Sequence, residues 1–191
     1  MKNSAVRNMV LSAMFLALSF VLPFFTGQIQ QIGSMLLPMH IPIILCSLFC
    51  SKQYGFLVGL IAPVMRSAIF HMPPMYPTAI AMSVKLAVMG FLVGFIYERM
   101  KKQNITSLYI SLISSILISR IFWAVAMCIL LGTGEDGFTL SMFFTMAFVK
   151  AFPGIILQLV LVPAIIYLSG YYVFAKLFKY TNSVVSMCFI L

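Results

Sequence analysis

The sequence predicts an all-α integral membrane bundle of six transmembrane helices with both chain ends in the cytoplasm. Three observations predict it. Of the 191 residues, 63% are hydrophobic and 8% are charged, whereas water-soluble domains carry about 25% charged residues and under half apolar ones. The apolar residues fall into long runs parted by short polar or proline-rich connections, and a bilayer span needs about 20 of them. The cations outside those runs all lie on alternate connections. A water-soluble enzyme is excluded on composition, since such a chain has no polar surface to show to solvent. The net charge of +9 does not imply nucleic acid as a partner, because the cations are scattered and topology accounts for them.

The chain is expected to form one transmembrane domain. The first helix covers 7–25, entered from the basic, polar segment Lys2, Asn3 and Ser4. It resembles a secretory leader in its charge and apolar run, but lacks a small-residue cleavage site, so it stays in the mature chain. A loop without charge follows, holding Gln28, Gln30 and Gln31. The second helix, 40–50, is too short to cross a bilayer and has Pro38 and Pro42 at its outer end. Such a helix is tolerated where protein encloses it. Ser51, Lys52 and Gln53 turn the chain into the third helix, 54–71. The segment around Pro73, Pro74 and Pro77 is a rigid connection. The fourth helix, 78–97, runs into the charged stretch Glu98 to Lys102. The fifth covers 105–131, and the sixth 141–169, with Pro153 and Pro163 expected to bend it. A cytoplasmic tail, 170–191, closes the chain.

The positive-inside rule orients the bundle. With the first residue inside, the inner segments hold Lys2, Arg7, Lys52, Arg99, Lys101, Lys102, Lys176 and Lys179, and the outer loops hold no Lys or Arg. Four cations remain of the 12 in the chain: Arg66, Lys85, Arg120 and Lys150, all inside helices. A charge at the bilayer centre costs at least ~2.5–3.5 kcal/mol, so such residues usually face a cavity or a partner. The chain has three carboxylates, Glu98 at the inner rim and Glu135 and Asp136 in an outer loop, and none falls inside a span. From the helical rise, the depths below the outer helix ends are about 10 Å for Lys85, 14 Å for Lys150, 8 Å for Arg66 and 17 Å for Arg120. That distribution predicts one cationic pocket open to the outside and fitted to a carboxylate or phosphate. The competing account is that a lysine among them snorkels to the surface along its own stem.

Gln31 and His40 are candidates to join the pocket by hydrogen bonding, and Tyr76 and Trp123 by stacking on a ring. Each has an ordinary role as an interfacial group to set beside that. The four cysteines show no CxxC and no zinc spacing, so no metal is implied and they are expected to pack inside helices. No catalytic motif or glycine-rich phosphate loop appears. The chain is therefore expected to be no enzyme and to hold no cofactor, and any ATP that drives it is hydrolysed on another chain.

Three pairs of small residues stand one turn apart: Ala13 with Ala17, Gly55 with Gly59, and Gly90 with Gly94. Each permits close helix approach. Together with the helix count and orientation, the segment from Ser12 to Ala17 resembles the AxxxA motif of the S components, the substrate-binding subunits of energy-coupling factor vitamin transporters. The run Leu37 to Pro42 followed by Tyr54 to Gly59, and the stretch Pro73 to Met82, are also similar to that family. The resemblance covers nearly the whole chain. The tail after Gly170 departs from it in being longer and more apolar.

That resemblance implies a multi-pass protein of a prokaryotic plasma membrane that binds a vitamin or related micronutrient from outside under its first loop. It implies assembly with a transmembrane coupling subunit, through Ala13 and Ala17, and with two ATPase subunits. It places the ligand among the outer loops and the outer halves of the fourth to sixth helices, where Lys85, Arg120 and Lys150 stand. The cationic pocket favours an acidic ligand such as pantothenate or folate, or a phosphorylated compound. The rival reading is a small intramembrane enzyme or lipid-handling protein holding a lipid phosphate; a paired acid or nucleophile inside the membrane would mark it.

Overall fold

A computed structural model describes residues 2–25, 38–71, 74–100, 104–131 and 152–168. These form helices α1 (Lys2–Phe25), α2 (His40–Phe49), α3 (Lys52–Phe70), α4 (Ile80–Arg99), α5 (Ile105–Leu131) and α6 (Phe152–Leu168), with a turn at Met75–Ala79 before α4. There is no strand among the described residues, and the fold class is an all-α membrane bundle. The first loop with Gln31, the outer part of the sixth expected helix with Lys150, and the tail lie outside the described residues.

Several helix ends differ by a few residues from expectation, and two of the starts have a physical reason. α1 begins at Lys2 rather than Arg7, since nothing in the polar start breaks a helix. α4 begins at Ile80 rather than Thr78. Tyr76 precedes Pro77 and is extended, at φ −117° and ψ 134°, because the proline ring crowds the helical conformation of the residue before it.

Among the described residues, four segments are long and apolar enough to cross a membrane: Val6–Pro23, Lys52–Phe70, Met75–Arg99 and Ile105–Leu131. α2 is not, at 10 residues or about 15 Å of rise. Instead its residues from His40 to Leu48 are all buried, and α1, α3, α4 and α6 all contact it. A helix apolar on every side is stable only when wrapped in this way. The core forms around it from Ile43, Ile44, Leu86, Leu112 and Val162, each fully buried.

The glycines of α3 and α4 set the closest helix approach. A side-chain carbon at Gly59 would stand 2.5 Å from the Leu86 carbonyl oxygen, and one at Gly90 would stand 2.5 Å from that of Gly55. Backbone therefore lies against backbone, which only a residue without Cβ allows. The Ser47 hydroxyl of α2 donates to the Gly90 carbonyl at the same crossing. Ala13 and Ala17 behave differently: both are exposed on α1, in a stripe with Val6, Met9, Val10, Met14 and Leu18.

Polar contacts tie the helix ends together. At the end rich in cations, Lys52 pairs with Glu98 at 2.8 Å, and Asn8 Nδ2 donates to the Cys50 carbonyl at 2.9 Å. At the opposite end the Tyr76 hydroxyl donates to the Leu130 carbonyl, joining the turn before α4 to the end of α5.

Candidate functional site

Three of the four cations placed inside helices by the sequence lie in described residues, and they share one level. Arg66 and Lys85 each stand 14 residues from the basic ends of α3 and α4, and Arg120 stands 15 from that of α5. All three therefore lie about 21–22 Å up, beyond the midpoint of a core about 30 Å thick. α4 carries Lys85 between its two neighbours, since α3 and α5 both pack on it.

The bundle turns these residues inward to different degrees. On α5 the buried set is Leu108, Ser111, Leu112, Ser115, Ile116, Ser119, Arg120 and Met127, a stripe of helical spacing that Arg120 continues toward the opposite end. Arg120 is 3% exposed. Lys85 is partly buried on α4, beside Leu86 of the core. Lys85 and Arg120 thus stand at one level on the adjacent helices α4 and α5. Arg66 is partly buried at the same level, one helix further round. Two cations held close in apolar surroundings raise each other's energy, and an anion bound between them lowers it. An arginine offers such a group a planar fork of donors and a lysine offers a compact charge.

The other sequence candidates divide. His40 starts α2 and is 2% exposed, deeper than an interfacial histidine would be. Trp123, one turn beyond Arg120, is partly buried. Tyr76 is 61% exposed, and its hydroxyl donates to the Leu130 carbonyl. Gln31 and Lys150 fall outside the described residues.

Sequence reasoning missed Gln158. It lies on the inward face of α6 with Gly154, Val162 and Ile166; it is 1% exposed, and its Nε2 has no hydrogen-bond partner among the described residues. The signal was a lone amide at four-residue spacing within an apolar run. The α5 serines carry no such opportunity. Ser111, Ser115 and Ser119 donate to the carbonyls of Leu108, Leu112 and Ile116 at 2.8, 2.9 and 3.0 Å, which leaves their protons committed to their own helix. No group of three His, Cys, Asp or Glu that could hold a metal occurs among the described residues.

The comparisons with known proteins agree with this architecture. The family model described as ECF transporter, substrate-specific component, matches residues 7–166. No curated protein and no solved structure matches the chain.

Proposed function

The chain belongs to the substrate-specific components of ECF transporters, and from that premise we propose that it captures an anionic vitamin or related micronutrient from outside the cell. Components of this family are substrate-binding membrane subunits rather than enzymes. The observation that supports an anionic ligand is that Lys85 and a buried Arg120 stand at one level on adjacent packed helices inside an apolar bundle.

The ligand's carboxylate or phosphate sits between the Arg120 guanidinium and the Lys85 ammonium, with Arg66 adding positive potential from α3. Lys150 and Gln31 complete the pocket from the outer part of the sixth helix and the first loop. His40 and Gln158 provide polar groups toward the bundle centre, and Trp123 an aromatic face. The basic end is cytoplasmic, so the pocket opens outward. The exposed stripe of α1, with Ala13 and Ala17, is the face for the transmembrane coupling subunit. Two ATPase subunits supply the energy, and the complex resides in a prokaryotic plasma membrane. Pantothenate, folate and phosphorylated compounds have the required charge.

The test is to purify the full chain in a mild neutral detergent and identify any bound small molecule by mass spectrometry. One acidic micronutrient per chain is expected. A neutral or cationic one, such as riboflavin or thiamin, would contradict the charge assignment while leaving the family intact.

A further inference from the structure

A second site lies on the outside of the bundle and does not depend on the ligand assigned above. α3 and α5 both lie on α4 and scarcely touch each other. Between them runs a groove of about 710 Å³, floored by Phe91 and Leu92 of α4 and walled by Phe56 and Leu57 of α3 and Ile118 and Phe122 of α5. Gln53 lines its basic end. From the helical rise, the groove extends from about 1.5 Å above the start of α3 to about 25 Å above the start of α5. Its part nearer the basic end, with Gln53, Phe56, Leu57, Phe91 and Leu92, lies within the depth of one leaflet, about half of a core about 30 Å thick, and its far part with Ile118 and Phe122 runs on past the midplane.

The groove is apolar along its length, and two cations stand next to its basic end. The Phe91 ring stacks on Phe95 at 5.7 Å, one turn nearer the basic end, and meets Phe56 edge-on at 6.4 Å. Phe95 in turn carries two cations, with Lys52 Nζ 5.4 Å and the Arg99 guanidinium carbon 5.8 Å from its centroid. Such contacts hold a cation against a ring without consuming its donors. Glu98 pairs with Lys52, so the two cations and one carboxylate leave one positive charge in excess at the groove mouth.

An apolar trough with a cation at one end is the complement of an amphiphile with an anionic head. We propose that this groove binds one anionic phospholipid of the cytoplasmic leaflet, with an acyl chain along Phe56, Phe91 and Leu92 and its phosphate at Lys52 and Arg99. A partner helix would need a ridge to enter the groove and an acid at one end. A lipid supplies both features in a single molecule, and the cytoplasmic leaflet is the one rich in anionic lipid. The bound lipid fills the space between α3 and α5 and so braces the two helices that carry Arg66 and Arg120.

The experiment offers delipidated full-length protein equimolar phosphatidylglycerol and phosphatidylcholine with the same acyl chains, and counts the retained lipids by native mass spectrometry. Retention of one phosphatidylglycerol is expected over phosphatidylcholine by about fivefold or more, the ratio given by roughly 1 kcal/mol of attraction per cation. Arg99→Gln, alone and with Lys52→Gln, should bring the two lipids toward parity, while Arg99→Lys keeps the preference. Leu92→Trp, which fills the trough, should release both. Equal retention by the unmodified protein would overturn the proposal. So would a Leu92→Trp variant that keeps its lipid but no longer co-purifies with the other transporter subunits, because the groove would then be a protein interface.

Discussion

Gly59→Ala tests the link between the glycine crossing and the cationic site. The added carbon would stand 2.5 Å from the Leu86 carbonyl oxygen, 2.6 Å from the Leu86 carbonyl carbon and 2.8 Å from the Ala87 nitrogen. Ordinary contact begins near 3.4 Å, so α4 must retreat by about 0.9 Å, the difference between 3.4 and 2.5 Å. All three atoms are backbone and cannot rotate away. Overpacking of this kind costs about 1–3 kcal/mol, and each 1 kcal/mol lowers the melting temperature of a chain this long by about 2–4 °C. A fall of about 2–12 °C is expected by thermal unfolding in detergent. Because Leu86 follows Lys85 directly, the same retreat moves Lys85 relative to Arg120, and ligand affinity should fall too. The control is Ile61→Ala, at a side chain 39% exposed, which should change the melting temperature little. If Gly59→Ala unfolds at the wild-type temperature and binds ligand unchanged, the close crossing does not hold Lys85 in place.

Further outcomes follow from single contacts. Gln158→Leu removes a buried amide whose nitrogen lacks a partner among the described residues, a group worth about 1–3 kcal/mol when left unmet. The ligand-free protein should melt higher and bind ligand more weakly, as read by thermal unfolding with and without ligand. Ala17→Leu enlarges an exposed position on α1; it should leave ligand affinity unchanged and abolish co-purification with the coupling subunit. Glu98→Gln breaks the pair with Lys52, whose side chains are 31% and 46% exposed. Screening limits such a pair to about 0–1 kcal/mol, so the melting temperature should move by no more than about 4 °C.

Much of the fold was legible in the sequence because lipid leaves the backbone few options. Long apolar runs have to be helices, since only a helix satisfies its own backbone groups in a bilayer. The short run after Pro38 announced a helix enclosed by protein, and α2 is buried from His40 to Leu48. Helix rotation was less legible. Residue numbers give height along an axis, which is how the sequence puts Arg66, Lys85 and Arg120 in the outer half or near the midplane. Whether two of them meet depends on how α4 and α5 pack, and that contact is set by side chains distant in sequence. Tyr76 illustrates the same gap. Its position beside the prolines offers an aromatic ring at the outer end, but the link of its hydroxyl to Leu130 on α5 depends on a packing that sequence spacing does not give. Gln158 went unnoticed because an uncharged amide barely interrupts an apolar run, yet burial makes it as informative as a charge.

The most direct test of the account is the affinity of the identified ligand for the Lys85→Gln and Arg120→Gln variants, measured by calorimetry beside the unmodified protein. A hydrogen bond to a charged group contributes about 1.5–3 kcal/mol, so each variant should bind roughly 10–150-fold more weakly. The double variant should lose less than the product of the two, because both cations hold one anion. Unchanged affinity in both single variants, with the fold intact by thermal unfolding, would contradict the anionic site.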